Sequence, residues 1–130
     1  MKDRHSLHKL IIPGKLHSLN EYIAACRRNP HQGANMKRED QFEIEWNIRS
    51  QLRGIRIERP VKMMYVWYEP NKKRDLDNIS SYGRKVIQDA LVNCHVLADD
   101  SWKQIIGFSD QFDIDRKNPR IEIFLKEIKL

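Results

Sequence analysis

The chain is short of cysteine, with only Cys26 and Cys94 among its 130 residues. These two form no CxxC pair and no framework spacing, so a disulfide scaffold is set aside and a reduced, cytoplasmic protein is the expectation. Long apolar runs are also missing. No stretch approaches the roughly 18 apolar residues of a membrane span, and the opening Met1-Lys2-Asp3-Arg4-His5 has no hydrophobic signal region. Internal repeats, linkers and low-complexity tracts are absent, which leaves a single compact domain long enough to bury a useful core. Acidic residues are in the minority, 18 against 24 Lys and Arg, for a net charge of +6 and a pI near 9.4. A basic average favours a polyanionic partner and says little more.

Hydrophobic periodicity divides the chain into seven elements. Residues 1 to 6 read as a disordered polar tail. Leu7 to Ile12 reads as a strand stopped by Pro13-Gly14. Leu19, Tyr22, Ile23 and Cys26 give helical spacing over Leu19 to Arg28, with Ser18 as its cap. Asn29 to Asn35 contains Pro30 and Gly33 and reads as a loop, followed by a helix from about Lys37 to Leu52 that Gly54 ends. The apolar positions of this helix, Phe42, Ile44, Trp46, Ile48 and Leu52, are imperfectly spaced. Val61 to Tyr68 is apolar on both faces, which predicts a central strand stopped by Pro70. Ile79, Tyr82, Val86 and Ala90 form a stripe over a helix from Asn78 to Val92. Two strands, over 103 to 115 and 120 to 128, flank a turn at Asn118-Pro119. The predicted order is β-α-α-β-α-β-β. This is a small α+β domain with helices packed on a mixed sheet.

Against this basic background one acidic constellation stands out. Lys72-Lys73-Arg74 runs directly into Asp75-Leu76-Asp77-Asn78, and Asp99-Asp100 follows the next helix. Carboxylates are the ligands Mg²⁺ or Mn²⁺ takes, and Lys and Arg are what a phosphodiester backbone attracts. Asp75 and Asp77, two apart in an extended segment, would share one side. They precede a helix whose positive N-terminus favours anions. A fold that turned Asp99-Asp100 back would add further ligands. The blander readings are helix capping by Asp77 or Asn78 and a solvated turn at Asp99-Asp100. Further along the same helix face, Lys85 or Arg84 would reach a scissile phosphate, and Lys72, Lys73 and Arg74 would contact the backbone. Asp110, Asp113 and Asp115 read as a solvent-facing strand. His5 and His8 lack companion ligands. Trp46, Trp67 and Trp102 are able to stack on bases, with core packing expected for the first two.

The run Lys73-Arg74-Asp75-Leu76-Asp77-Asn78, the helix ending Gln88-Asp89-Ala90-Leu91, and Val96-Leu97-Ala98-Asp99-Asp100-Ser101-Trp102 together resemble the RusA family of Holliday junction resolvases, found in bacteria and carried largely by phages and prophages. Ile11-Ile12-Pro13-Gly14 and Leu19-Asn20-Glu21-Tyr22 look like the family's opening. The resemblance implies a homodimeric α+β endonuclease, dependent on Mg²⁺ or Mn²⁺, that nicks opposed strands of a four-way DNA junction. It makes Asp75, Asp77 and Asp100 catalytic and metal-binding, with Asp99 a lesser metal candidate and Asn78 the motif asparagine. The chain departs from the pattern at Ser81, where many members carry lysine. Lys85, one turn on, then takes the cationic role, with Arg84 next and Lys72, Lys73, Arg74 and Asn78 on the DNA.

Two other readings compete. One is a metal nuclease acting on other branched DNA, such as flaps or forks. The other is a junction-binding module that has lost catalysis, which Ser81 favours and the intact aspartates oppose. An RNA-binding regulator rests on basic charge alone.

Overall fold

The computed structural model describes residues 7 to 129, so the polar tail over residues 1 to 6 lies outside the described residues. Strand β1 (Leu7–Pro13) is followed by helices α1 (Leu19–Arg28) and α2 (Pro30–Gln51), then β2 (Val61–Glu69), α3 (Leu76–Asn93), β3 (Ile105–Ile114) and β4 (Arg120–Glu127). This is the α+β order read from the sequence.

The four strands form one mixed sheet in the order β1-β4-β2-β3. β4 pairs antiparallel with both β1 and β2, whereas β2 and β3 are parallel. A parallel pair needs a crossover, and α3 supplies it. β2 is an interior strand, as its composition predicted. Its two faces are unequal, however. Met63, Tyr65 and Trp67 are buried, while Met64 is 42% exposed. The same alternation buries Leu10 and Ile12 on β1 and Ile121, Ile123 and Leu125 on β4, so the core lies on one face of the sheet. Burying each of these side chains contributes about 1.5–3 kcal/mol before entropy is counted.

The helices meet this face through complementary shapes. α3 presents Ile79, Tyr82, Val86, Ile87, Ala90 and Leu91. Gly83 lets it settle on the sheet, because a Cβ there would lie 3.0 Å from the Trp67 ring. α1 opens with a capping box, in which Ser18 accepts from the Glu21 amide and the Glu21 carboxylate accepts from the Ser18 amide.

α2 departs from the expectation in two ways. It starts at Pro30, seven residues before Lys37, because Asn29 caps it and proline occupies the first turn, where no amide partner is lost. Gly33 is therefore helical, and it faces Cys26 of α1 so closely that a Cβ would stand 2.2 Å from the sulfur. The second departure concerns Phe42 and Trp46. They point outward, 67% and 62% exposed, while Ile44, Ile48 and Leu52 face the core. Trp46 is thus no core residue, whereas Trp67 is. No helix among the described residues is long and apolar enough to cross a membrane.

Candidate active site

The site grows from the β2–α3 junction. Pro70 follows β2, and six residues later α3 begins at Leu76. Asp75 occupies the cap position in an extended conformation, yet its side chain makes no capping bond. Asp77 lies in the first turn. Both residues are exposed, and neither carboxylate takes part in a hydrogen bond or ion pair within the described residues. Helix capping by Asp77 or Asn78 is therefore not the arrangement found. Asn78 instead uses its side-chain oxygen to accept the Asn20 amide at 3.2 Å, tying α3 to α1. Two hard carboxylates left free beside a helix N-terminus suit a divalent cation, since Mg²⁺ takes one or two carboxylates together with water and phosphate.

The basic run divides into two kinds of cation. Arg74 is committed to the fold. It donates to the Leu16 carbonyl at 2.9 Å and to Glu21 at 2.6 Å, and stands 4.0 Å from Glu69. Burial raises the Glu21 carboxyl, but the Ser18 amide and Arg74 outweigh it and bring the net pKa below the ordinary 4.5. Lys72 and Lys73 are exposed and free of such commitments among the described residues.

Beside Asp75 lies a hollow of about 430 Å³, lined also by Glu69, Lys72, Arg74 and Asp113. One of its carboxylates, Glu69, is not marked out by the sequence pattern of acidic residues. Glu69 is 6% exposed. The signal was available, since Glu69 shares the buried alternation of Met63, Tyr65 and Trp67. Asp113 is exposed, as expected of a solvent-facing strand, and borders the hollow. Asp110 departs from that expectation. It faces the helices, accepts the Trp67 indole N–H at 2.9 Å and pairs with Arg84. Arg84 stacks over Phe108, 4.4 Å from the ring centre. Its guanidinium is thereby held in an internal contact.

Farther along α3, Ser81 donates to the Asp77 carbonyl at 2.7 Å. Lys85 comes next on this face. Its ammonium meets Asp100 at 2.9 Å and Asp89 at 3.2 Å. Hydrogen bonds to Asp100 first and Asp89 second raise its pKa above the ordinary 10.5. Lys85 is two helical turns from Asp77, roughly 12 Å along the axis. Asp100 accordingly sits against Lys85 and does not close a triangle with Asp75 and Asp77. Among the described residues no three His, Cys, Asp or Glu side chains stand close enough together to hold a metal ion.

The turn carrying Asp100 is tightly built. Asp99 accepts the Ser101 hydroxyl at 2.6 Å and the Ser101 amide at 2.8 Å, which together lower its pKa. Gln104, buried below, accepts the Ala98 and Asp99 amides and donates to the Ile57 carbonyl.

A search of curated proteins finds no match. The family model described as Endodeoxyribonuclease RusA matches residues 3 to 126. That span takes in every element from β1 through nearly all of β4, and with it both acidic segments. The chain therefore belongs to the RusA family of endodeoxyribonucleases.

Proposed function

We propose that this endodeoxyribonuclease is a metal-dependent, structure-selective enzyme that resolves four-way DNA junctions by paired symmetric nicks. One observation carries the reading. Asp75 and Asp77 are exposed, adjacent and without internal partners, at the N-terminus of α3 in a chain of the RusA family. A free carboxylate pair contributes nothing evident to folding, and it is the donor set a divalent ion takes.

Mg²⁺, or Mn²⁺ in its place, held by Asp75 and Asp77, would supply Lewis-acid charge and a more acidic bound water. Asp100 or Asp99 would join as a further ligand only by leaving Lys85 or Ser101, respectively, and moving toward the start of α3. The chain's own groups do the rest. Lys72 and Lys73 attract the phosphate backbone and set register without reading sequence. Lys85 remains protonated through neutral pH and brings a positive charge to the face that Asp77 begins, suited to charge developing on phosphate. Arg74 and Asn78 fasten the β2–α3 junction to α1, so their part is to hold the aspartates in place. Arg84 serves the same end from α3 through Asp110.

A homodimer fits this reading, because two symmetric cuts in a two-fold junction call for a two-fold enzyme. Soluble, cytoplasmic action on recombining DNA follows from the same activity.

The test is cleavage of a labelled mobile four-way junction, with flaps and forks alongside, in Mg²⁺ and then Mn²⁺, using wild type and Asp77→Asn. Gel shifts in EDTA report binding, and sedimentation reports the oligomer. Paired nicks from wild type only, with binding by both proteins, support the proposal. Binding by wild type without cuts under either metal rejects it in favour of a non-catalytic module. Preferential cutting of flaps or forks rejects the junction as substrate.

A further inference from the structure

Trp102 has no role in the fold. It is 93% exposed, the most exposed large hydrophobic side chain among the described residues. Neither the core nor any ring contact includes it. A single exposed apolar residue is ordinary on a protein surface. The scaffold beneath this one is not a loose loop. Ser101 is fixed to Asp99 through both its amide and its hydroxyl. The Gln104 and Ile105 amides both donate to the Ser101 carbonyl, at 3.0 and 2.9 Å. Gln104 is 5% exposed and anchors the turn to the Ile57 carbonyl. The indole thus projects from a backbone whose conformation is already fixed, so little backbone entropy remains to be lost when it meets a ligand.

Its position gives the exposure meaning. Trp102 is two residues from Asp100, so their Cα atoms are at most about 7 Å apart. Lys103 is next to it, exposed and close enough to influence Asp99 electrostatically. A flat aromatic surface beside Asp100, whose Lys85 partner extends the α3 face that Asp77 begins, is suited to an unstacked base. Such stacking is tolerant of sequence because every base has a π-face. Fully paired duplex offers no open base face, whereas a branch point does.

We infer that Trp102 stacks on a base exposed at the branch point of the DNA substrate and so positions the neighbouring phosphate for cutting. The inference rests on the nuclease reading above. It makes Trp102 a positioning residue that favours branched over continuous DNA.

The experiment compares the full-length protein with Trp102→Ala and Trp102→Phe. The substrates are a four-way junction carrying 2-aminopurine at the branch point and a continuous duplex of equal length. Binding and 2-aminopurine fluorescence are read in EDTA, and cleavage is read in Mg²⁺. A stacked base predicts about 5- to 150-fold weaker junction handling by Trp102→Ala, unchanged duplex binding, loss of the fluorescence change, and recovery of most of each effect in Trp102→Phe. Wild-type behaviour of Trp102→Ala on the junction overturns the inference. So does an equal loss on junction and duplex with the fluorescence change retained. If wild type cuts the junction and Trp102→Ala does so equally well, only this inference fails. If wild type neither binds nor cuts branched DNA, the nuclease reading fails and takes this one with it.

Discussion

Asp40 and the pair Asp75/Asp77 show two opposite uses of aspartate in one small domain. Asp40 is 6% exposed and fully engaged. Its oxygens meet the His17 ring nitrogen at 2.9 and 3.0 Å and accept the Tyr82 hydroxyl at 2.8 Å. Burial first, and then the Asp40 bond, push the Tyr82 hydroxyl well above its ordinary pKa. Asp75 and Asp77 lie one helix away, at the cap and first turn of α3, and have no side-chain partner among the described residues. A buried carboxylate must be satisfied by the protein or it costs several kcal/mol. An exposed one is free to be satisfied by something from outside. The presence or absence of internal partners therefore separates structural carboxylates from those available for chemistry better than acidity or clustering does.

The strongest way to break this comparison is to neutralise one member of each kind. Asp77→Asn, like Asp75→Asn, is expected to lower junction cutting by about 10³-fold or more, as removal of a catalytic group generally does. Its stability should stay within about 0.5 kcal/mol of wild type, the range for surface positions. Junction binding in EDTA should hold or tighten, because a negative charge facing phosphate is gone. Loss of binding by a folded variant would assign these aspartates to structure. Asp40→Ala should do the reverse. It strands the buried Tyr82 hydroxyl at a cost of about 1–3 kcal/mol, or about 4 °C in Tm for each kcal/mol. In a Tyr82→Phe background the same substitution should cost less, since the donor has been removed. An equal cost in both backgrounds would show that the hydroxyl bond is not the source of the effect.

The sequence carried most of the fold and part of the site, and its failures have physical causes. Strand and helix order followed from periodicity because each element buries one face. Asn29 to Asn35 reads as a loop from sequence because Pro30 and Gly33 look like breakers, yet Pro30 opens α2 and Gly33 lies within it. Proline at the first helical position breaks nothing, and Gly33 answers to Cys26 across the α1–α2 contact, a constraint that local sequence does not contain. Core packing is the usual expectation for a tryptophan such as Trp46, but the helical phase of Ile44, Ile48 and Leu52 puts it outside. The acidic segments were legible as a pattern. Their partners were not, because Arg84 with Asp110 and Lys85 with Asp100 join residues 26 and 15 positions apart. Pairings of that kind exist only once the sheet has formed.

Lys72 and Arg74 extend the comparison to cations, one free and one committed. Replacing Lys72 and Lys73 together by Ala should reduce the slope of log binding against log salt by about 2, near 0.9 for each lost phosphate contact. Stability should hardly move. Arg74→Ala should mainly lower Tm, because it breaks the link from the β2–α3 junction to Leu16 and Glu21. A large salt-slope change from Arg74→Ala with unchanged Tm would reverse these roles.

The smallest effect sharpens the comparison where engagement is intermediate, on the open face of the sheet. Glu122 on β4 accepts from Arg120 at 2.8 Å and faces Lys9 at 3.5 Å. The Arg120 bond is the main cause of a pKa below the ordinary 4.5. Because the folded state holds this carboxyl ionised, its contribution is fully present above about pH 4.5 and is lost as pH falls through the lower folded value. Wild type should therefore be more stable than Glu122→Gln at pH 6 by no more than about 1 kcal/mol, the range for a pair at the surface of the sheet. The two Tm curves should converge as pH falls below 4.5. A gap that persists once the carboxyl is fully protonated would mean that Glu122 acts through packing of its side chain, and that hydrogen-bond partners alone do not rank the carboxylates of this surface.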